Sequence, residues 1–153
     1  MTAIRAATSA DIEQIVAFNA AMALETEDLV LDRSRLRAGV SRVFQGDAAA
    51  FYRLAEQDGR VVGQLMVTVE WSDWRDAWVW WIQSVYVLPE ARRGGVYRAL
   101  HAAVVEEARA AGAAGVRLYV DARNTRAMAT YAAMGMDGDH YRVFEQMFPL
   151  SPR

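Results

Sequence analysis

Apolar positions along the chain change period several times, and each change marks an element. A short strand is expected over residues 2–6, followed by Thr8 and Asp11 at the spacing of a helix-capping pair. Ile12, Ile15, Val16, Asn19, Met22 and Ala23 then recur every three or four residues, which predicts a helix with one mostly apolar stripe running to about Leu24. The acidic run Glu25-Thr26-Glu27-Asp28 breaks it. A second helix is predicted from about Asp32, with Leu36, Val40, Val43 and Phe44 on one face, ending before Gly46-Asp47. From Ala49 to Trp71 the pattern becomes that of strands. Asp58-Gly59 divides this run into a hairpin, because a type I′ turn needs positive φ and glycine adopts it readily. In the second strand Gln64, Thr68 and Glu70 share a mixed face with Val62 and Met66.

Ser72-Asp73-Trp74-Arg75-Asp76 reads as a polar loop, and the most apolar stretch follows it. Residues 78–87 predict a strand buried on both faces, hence central in a sheet. Pro89 stops it, and Arg92-Arg93-Gly94-Gly95 bends into a helix whose inward stripe is Tyr97, Leu100, Val104 and Ala108, ending near Gly112. Val116, Leu118 and Val120 alternate with Arg117, Tyr119 and Asp121 in a further strand over residues 116–121. Strand, helix and strand in this order make a parallel pair. Asn124 or Thr125 then caps a short helix carrying Met128, Tyr131 and Ala132, closed by Gly135. A last strand is expected over residues 140–148, with residues 149–153 as a tail. The expected fold class is α/β (α+β), in a single domain over residues 1–153 with no linker or repeat.

Composition narrows the function classes. A chain of 153 residues, 54% hydrophobic, is long enough to bury a core of its own. A net charge of -2 offers no basic surface to neutralise phosphates, so nucleic acid is not an expected partner. The absence of cysteine excludes disulfides and thiol nucleophiles and suits a reducing cytoplasm. The start, Met1-Thr2-Ala3-Ile4-Arg5, lacks a signal-peptide apolar core, and no apolar run approaches the roughly 20 residues of a membrane helix. A cytoplasmic protein with no membrane partner is expected. His101 and His140 form no ligand spacing, so no metal is expected.

The candidate chemistry lies at the arginine–glycine bend. Helix starts carry N–H groups without partners inside the helix, and glycines let an anion approach them. The bend lacks the glycine–lysine–serine/threonine ending of a P-loop and the three-glycine spacing of a dinucleotide fold. What remains is Arg92-x-x-Gly95-x-Tyr97, with Asn124-x-x-Ala127-x-x-x-Tyr131-x-x-x-Gly135 downstream. These two arrays, in this order and secondary structure, resemble the GNAT superfamily of acyl-coenzyme A-dependent N-acyltransferases over nearly the whole chain.

The resemblance implies a mixed central sheet of about six to seven strands flanked by about four helices, with a parallel pair splayed around the coenzyme. It implies acetyl-CoA as co-substrate. Val85, Tyr86 and Val87 would offer backbone groups to the pantetheine arm, and Arg92, Arg93, Gly94, Gly95, Val96, Tyr97 and Arg98 would wrap the pyrophosphate. Tyr97 departs from the family, which usually has glycine or alanine there; its ring is expected to turn into the core. Asn124 matches the position that contacts the pantetheine arm, and Tyr131 the position that protonates the departing thiolate. A phenol of ordinary pKa, about 10, is protonated at neutral pH and suits that role. The attacking amine must lose a proton, and Glu70, beside the central strand, is the candidate base. Glu25 and Glu27 border the acceptor side in this family and would meet a cationic amine.

Plainer readings stand beside these: solvated arginines, a core tyrosine, a surface glutamate and an acidic loop. Trp71, Trp74 and Trp78 are packing residues or the wall of an apolar acceptor pocket. The expected activity is transfer of an acetyl group to a primary amine, with small amines, antibiotics, peptide N-termini and protein lysines all open as acceptors. The alternative is a non-enzymatic acyl-CoA-binding sensor or interaction module. Exposed sheet edges leave room for a homodimer.

Overall fold

The computed structural model describes residues 1–151; the last two residues of the expected tail lie outside the described residues. Residues up to Arg117 and residues from Leu118 onward form two compact units. The first unit holds β1 (Ala3–Ala6), α1 (Ile12–Glu27), α2 (Arg33–Gln45), β2 (Ala50–Gln57), β3 (Arg60–Ser72), β4 (Ala77–Val87), α3 (Val96–Ala110) and β5 (Gly115–Arg117). The second holds α4 (Thr125–Ala133). The sheet order is β1-β2-β3-β4-β5, antiparallel until the last pair, which is parallel.

Local chemistry accounts for most boundaries. Asp58 and Gly59 both take positive φ, +51° and +75°, as a type I′ hairpin turn requires. Asp32 caps α2 by accepting the Arg35 N–H at 2.9 Å, and Gly46 ends that helix in the left-handed region. The acidic run does not break α1 at Leu24. Glu25 and Glu27 belong to its last turn, and Asp28 closes it at φ +51° while donating its N–H back to Leu24 O. Aspartate tolerates this conformation better than most residues, which is why the break falls there.

Each sheet face has its own helices. Tyr52 and Leu54 of β2 bury against Ile15 and Val16 of α1 and Val40 of α2. On the other side Arg53 reaches α3, where its Nε donates to Glu107 at 2.8 Å, and its register partner Leu65 is buried on that face with Val67 and Ile82. α3 buries Val96, Leu100, His101, Val104 and Ala108, whereas Tyr97 is only half-buried.

Among the described residues the sheet has five strands rather than six or seven. β5 ends at Arg117 instead of continuing to residue 121, and its ladder covers only Val79, Trp80 and Trp81 of β4. Residues 140–148 alternate as a strand should, yet no ladder pairs with them among the described residues, and Phe144 is 93% exposed. Alternation supplies the side chains of a strand; the neighbouring N–H and C=O groups must come from elsewhere.

Candidate functional site

β4 keeps a regular register with β3 until Gln83, then gains a residue. Met66 faces Gln83 and Gln64 faces Tyr86, so Ser84 and Val85 together oppose Leu65 alone. This is a β-bulge, and Ser84 takes a left-handed φ of +52° to form it. Such a conformation costs a non-glycine residue about 1–2 kcal/mol, so the surroundings must hold it. Gln64, fully buried on β3, donates its Nε2–H to the Ser84 carbonyl at 3.1 Å. The parallel ladder with β5 has already stopped at Trp81, three residues before the bulge. Residues 82–87 therefore run along an edge that β5 does not pair.

Past Val87 the chain makes a short 3₁₀ turn, Pro89–Ala91, and reaches Arg92. Arg92 ties three elements together. Its Nε donates to the Val87 carbonyl at 2.9 Å, its Nη2 pairs with Glu25 Oε2 at 2.7 Å, and its guanidinium carbon lies 5.5 Å from the centre of the Tyr86 ring. The Tyr86 hydroxyl donates to the other Glu25 oxygen at 3.0 Å, while its ring packs on Phe18. The Arg92 hydrogen bond, reinforced by Tyr86, holds the Glu25 carboxyl below the usual carboxylate range. Burial first, then the bond to Glu25, pushes the Tyr86 phenol up.

The bend that follows has two residues in the left-handed region. Arg93 and Gly95 take φ of +66° and +79°, and Gly95 begins α3 without a side-chain cap. The first helical bond runs from Ala99 N–H to Gly95 O, so the preceding amides lie outside the helical ladder. Gly63 lets this end of α3 close on the sheet, because a Cβ there would sit 2.9 Å from Val96 Cγ1. The Tyr97 ring does not enter the core. It packs edge-on to His101 one turn along α3, with its hydroxyl 3.3 Å from Nδ1, and burial lowers the His101 pKa.

Of the expected site residues, the structure brings Glu25, Tyr86 and Arg92 together and sets residues 92–98 at the end of β4. Glu70 lies elsewhere. It faces Val79, roughly 16 Å along β4 from Ser84 at the usual rise per residue. Its carboxylate accepts from Arg117 of β5 at 2.8 Å, beside the last rung of the parallel ladder. Glu27 is exposed at the end of α1. Trp71 and Trp78 pair edge-to-face at 5.1 Å, both half exposed, and Trp74 is exposed at the hairpin tip. A cavity of about 300 Å³ lined by Ala17, Ala21, Leu24, Leu29 and Arg33 lies between α1 and the start of α2. In the second unit Asn124 caps α4, its Oδ1 accepting from the Ala127 N–H at 3.0 Å, and burial pushes the Tyr131 phenol above its ordinary value. No helix among the described residues is long and apolar enough to cross a membrane.

From the sequence Gln64 reads only as part of a mixed strand face, and Ser84 draws no notice. The available signal was a glutamine inside an otherwise aliphatic run and a serine inside a tryptophan-rich one.

Known proteins resemble this chain in sequence and in fold. The sequence profile of the acetyltransferase (GNAT) family matches residues 18–136. The aminoalkylphosphonate N-acetyltransferase of Salmonella typhimurium is 30% identical over 139 residues, which is 91% of this chain and 87% of that protein. Among solved structures, a possible acetyltransferase from Clostridium difficile 630 superposes with a TM-score of 0.89 at 35% identity, covering 98% of this chain and 99% of the other. A predicted acetyltransferase from Clostridium acetobutylicum, solved with acetyl-CoA, shares the fold with a TM-score of 0.74 at 16% identity, over 95% of this chain and 96% of the other.

Proposed function

Because the chain belongs to the acetyltransferase (GNAT) family, we propose that it transfers an acetyl group from acetyl-CoA to the primary amine of a small molecule. The observation that carries this reading is the run of β4 left without a β5 neighbour, followed after a short turn and bend by the start of α3, which has no side-chain cap. An extended chain of amides can add to such an edge, and a pyrophosphate fits amides exposed beside glycines. Residues 85–87 would take the pantetheine arm, residues 92–98 the pyrophosphate, and Asn124 the arm again through its side-chain amide. Arg93 and Arg98 would supply positive charge there, while Arg92 holds the turn.

The bound thioester supplies an activated acetyl group. The neutral amine attacks the acetyl carbon, the carbon–sulfur bond breaks, and the thiolate takes a proton. Tyr131 is the proposed donor: a phenol raised above its ordinary pKa stays protonated across the physiological range. Glu70 is the proposed acceptor of the amine proton, acting through water from its place next to Arg117. Glu27, and Glu25 in part, would present negative charge to a cationic acceptor.

Thiol release from acetyl-CoA against a panel of amines tests the reading, with aminoalkylphosphonates included because the Salmonella relative is named for them. Turnover with at least one amine is expected. Tyr131→Phe should lower kcat by about 100-fold or more while leaving coenzyme affinity within about two-fold. Coenzyme binding without turnover across the panel would count against transfer, and an unchanged kcat would remove Tyr131 from the proton step.

A further inference from the structure

Gln64 is the one polar side chain of the described core that is fully buried, at 0% exposure. Its two ends are treated differently. Nε2–H donates to the Ser84 carbonyl, and Oε1 is buried with no hydrogen-bond partner among the described residues. An unpaired buried acceptor destabilises a protein, and methionine would fill nearly the same volume without it. The glutamine is therefore a poor choice for packing alone.

Its position gives a different account. The register partner of Gln64 is Tyr86, but its side chain reaches back to Ser84, the residue in the left-handed conformation. Next to it, Gly63 admits Val96 at the start of α3. The amide thus grips the kink of β4 at the point where the strand has lost its β5 neighbour and turns towards the bend before α3.

We infer that Gln64 is a positioning residue for the donor strand: by holding the Ser84 carbonyl it fixes the bulge that aims the backbone of residues 85–87 at the pantetheine arm. This rests on the reading of β4 as the strand that receives acetyl-CoA. No charge or proton moves in this role, and Gln64 itself does not touch the reacting atoms.

Gln64→Met tests it. The variant should unfold close to the parent's temperature, because the orphaned oxygen goes while the Ser84 carbonyl loses its donor. In the free protein, amide hydrogen exchange at residues 85–87 should speed up about ten-fold as the kink loosens. Calorimetry should show the acetyl-CoA Kd rising by a similar factor. Exchange and Kd both within two-fold of the parent would overturn the inference.

A second variant guards against a packing effect. Glycine adopts the left-handed conformation without help, so in a Ser84→Gly background the change caused by Gln64→Met should shrink by at least half. An undiminished change would assign Gln64 to packing and overturn its positioning role. If the parent protein fails to bind acetyl-CoA, the functional reading falls, while the exchange measurement still judges whether Gln64 holds the bulge.

Discussion

Glu25 receives two donors on one carboxylate, the Tyr86 hydroxyl from the strand and the Arg92 guanidinium from the turn after it. Both charged partners are more than a third exposed, so the pair adds little to stability by itself. A double-mutant cycle of Glu25→Gln and Arg92→Ala in urea unfolding should give a coupling of about 0.5–1 kcal/mol at neutral pH. The folded Glu25 pKa lies below its unfolded value, so the coupling is present above about pH 4.5 and fades as pH falls through the folded value. A coupling of zero at pH 7 would make the contact incidental. The charged atoms of this clamp were visible in the sequence, but their partnership was not. Nothing local relates Glu25 to Arg92, which are 67 positions apart and meet only because α1 packs on β4. Glu70 likewise meets Arg117 across 47 positions of sequence, a partnership that only the pairing of the sheet creates.

At the scale of elements, Gly63 decides how closely α3 approaches β3. A methyl group there would sit 2.9 Å from Val96 Cγ1 and 3.3 Å from the Tyr86 carbonyl, and Val96 is buried and stiff. Gly63→Ala should therefore destabilise the protein by about 1–3 kcal/mol and weaken acetyl-CoA binding by shifting the start of α3. Chemical denaturation and calorimetry measure the two effects; a stable variant with unchanged affinity would show that the helix start yields freely. The sequence announced those elements whose ends are set by their own residues. Asp58-Gly59, Asp32 and Gly46 each impose a backbone conformation or a cap within a few positions. It did not announce the shortened β5 or the lack of a ladder over residues 140–148 among the described residues, because a strand's length depends on the neighbour that completes its hydrogen bonds. The bulge was hidden for a related reason: β4 is apolar on both faces, so a change in which residues face which side leaves no trace in the pattern.

For the molecule as a whole, the pH limits of stability can be derived from buried groups. Tyr52 stacks on Phe44 in the core beneath α1 and α2, and burial pushes its phenol up to about 12. Below about pH 10 the folded and unfolded chains both keep this proton, and its contribution is complete. Between about pH 10 and 12 only the unfolded chain releases it, so stability falls, by at most about 2.7 kcal/mol for two pKa units. Urea unfolding from pH 9 to 12 should show a shallower alkaline decline in Tyr52→Phe than in the parent. Identical slopes would mean that Tyr52 ionises as readily when folded as when unfolded.

The extra residue at Ser84 also behaves like a shift of reading frame. Before it, Ile82 lies on the α3 side of the sheet; after it, Tyr86, also even-numbered, lies on the α1 side. Removing that single residue would exchange the faces of everything downstream in β4, carrying the Tyr86 hydroxyl away from Glu25 and turning Val87 towards α1. Changes of length at this point preserve both faces only when they come in pairs. Any comparison of this chain with its relatives should therefore count residues across Ser84 before matching the side chains beyond it.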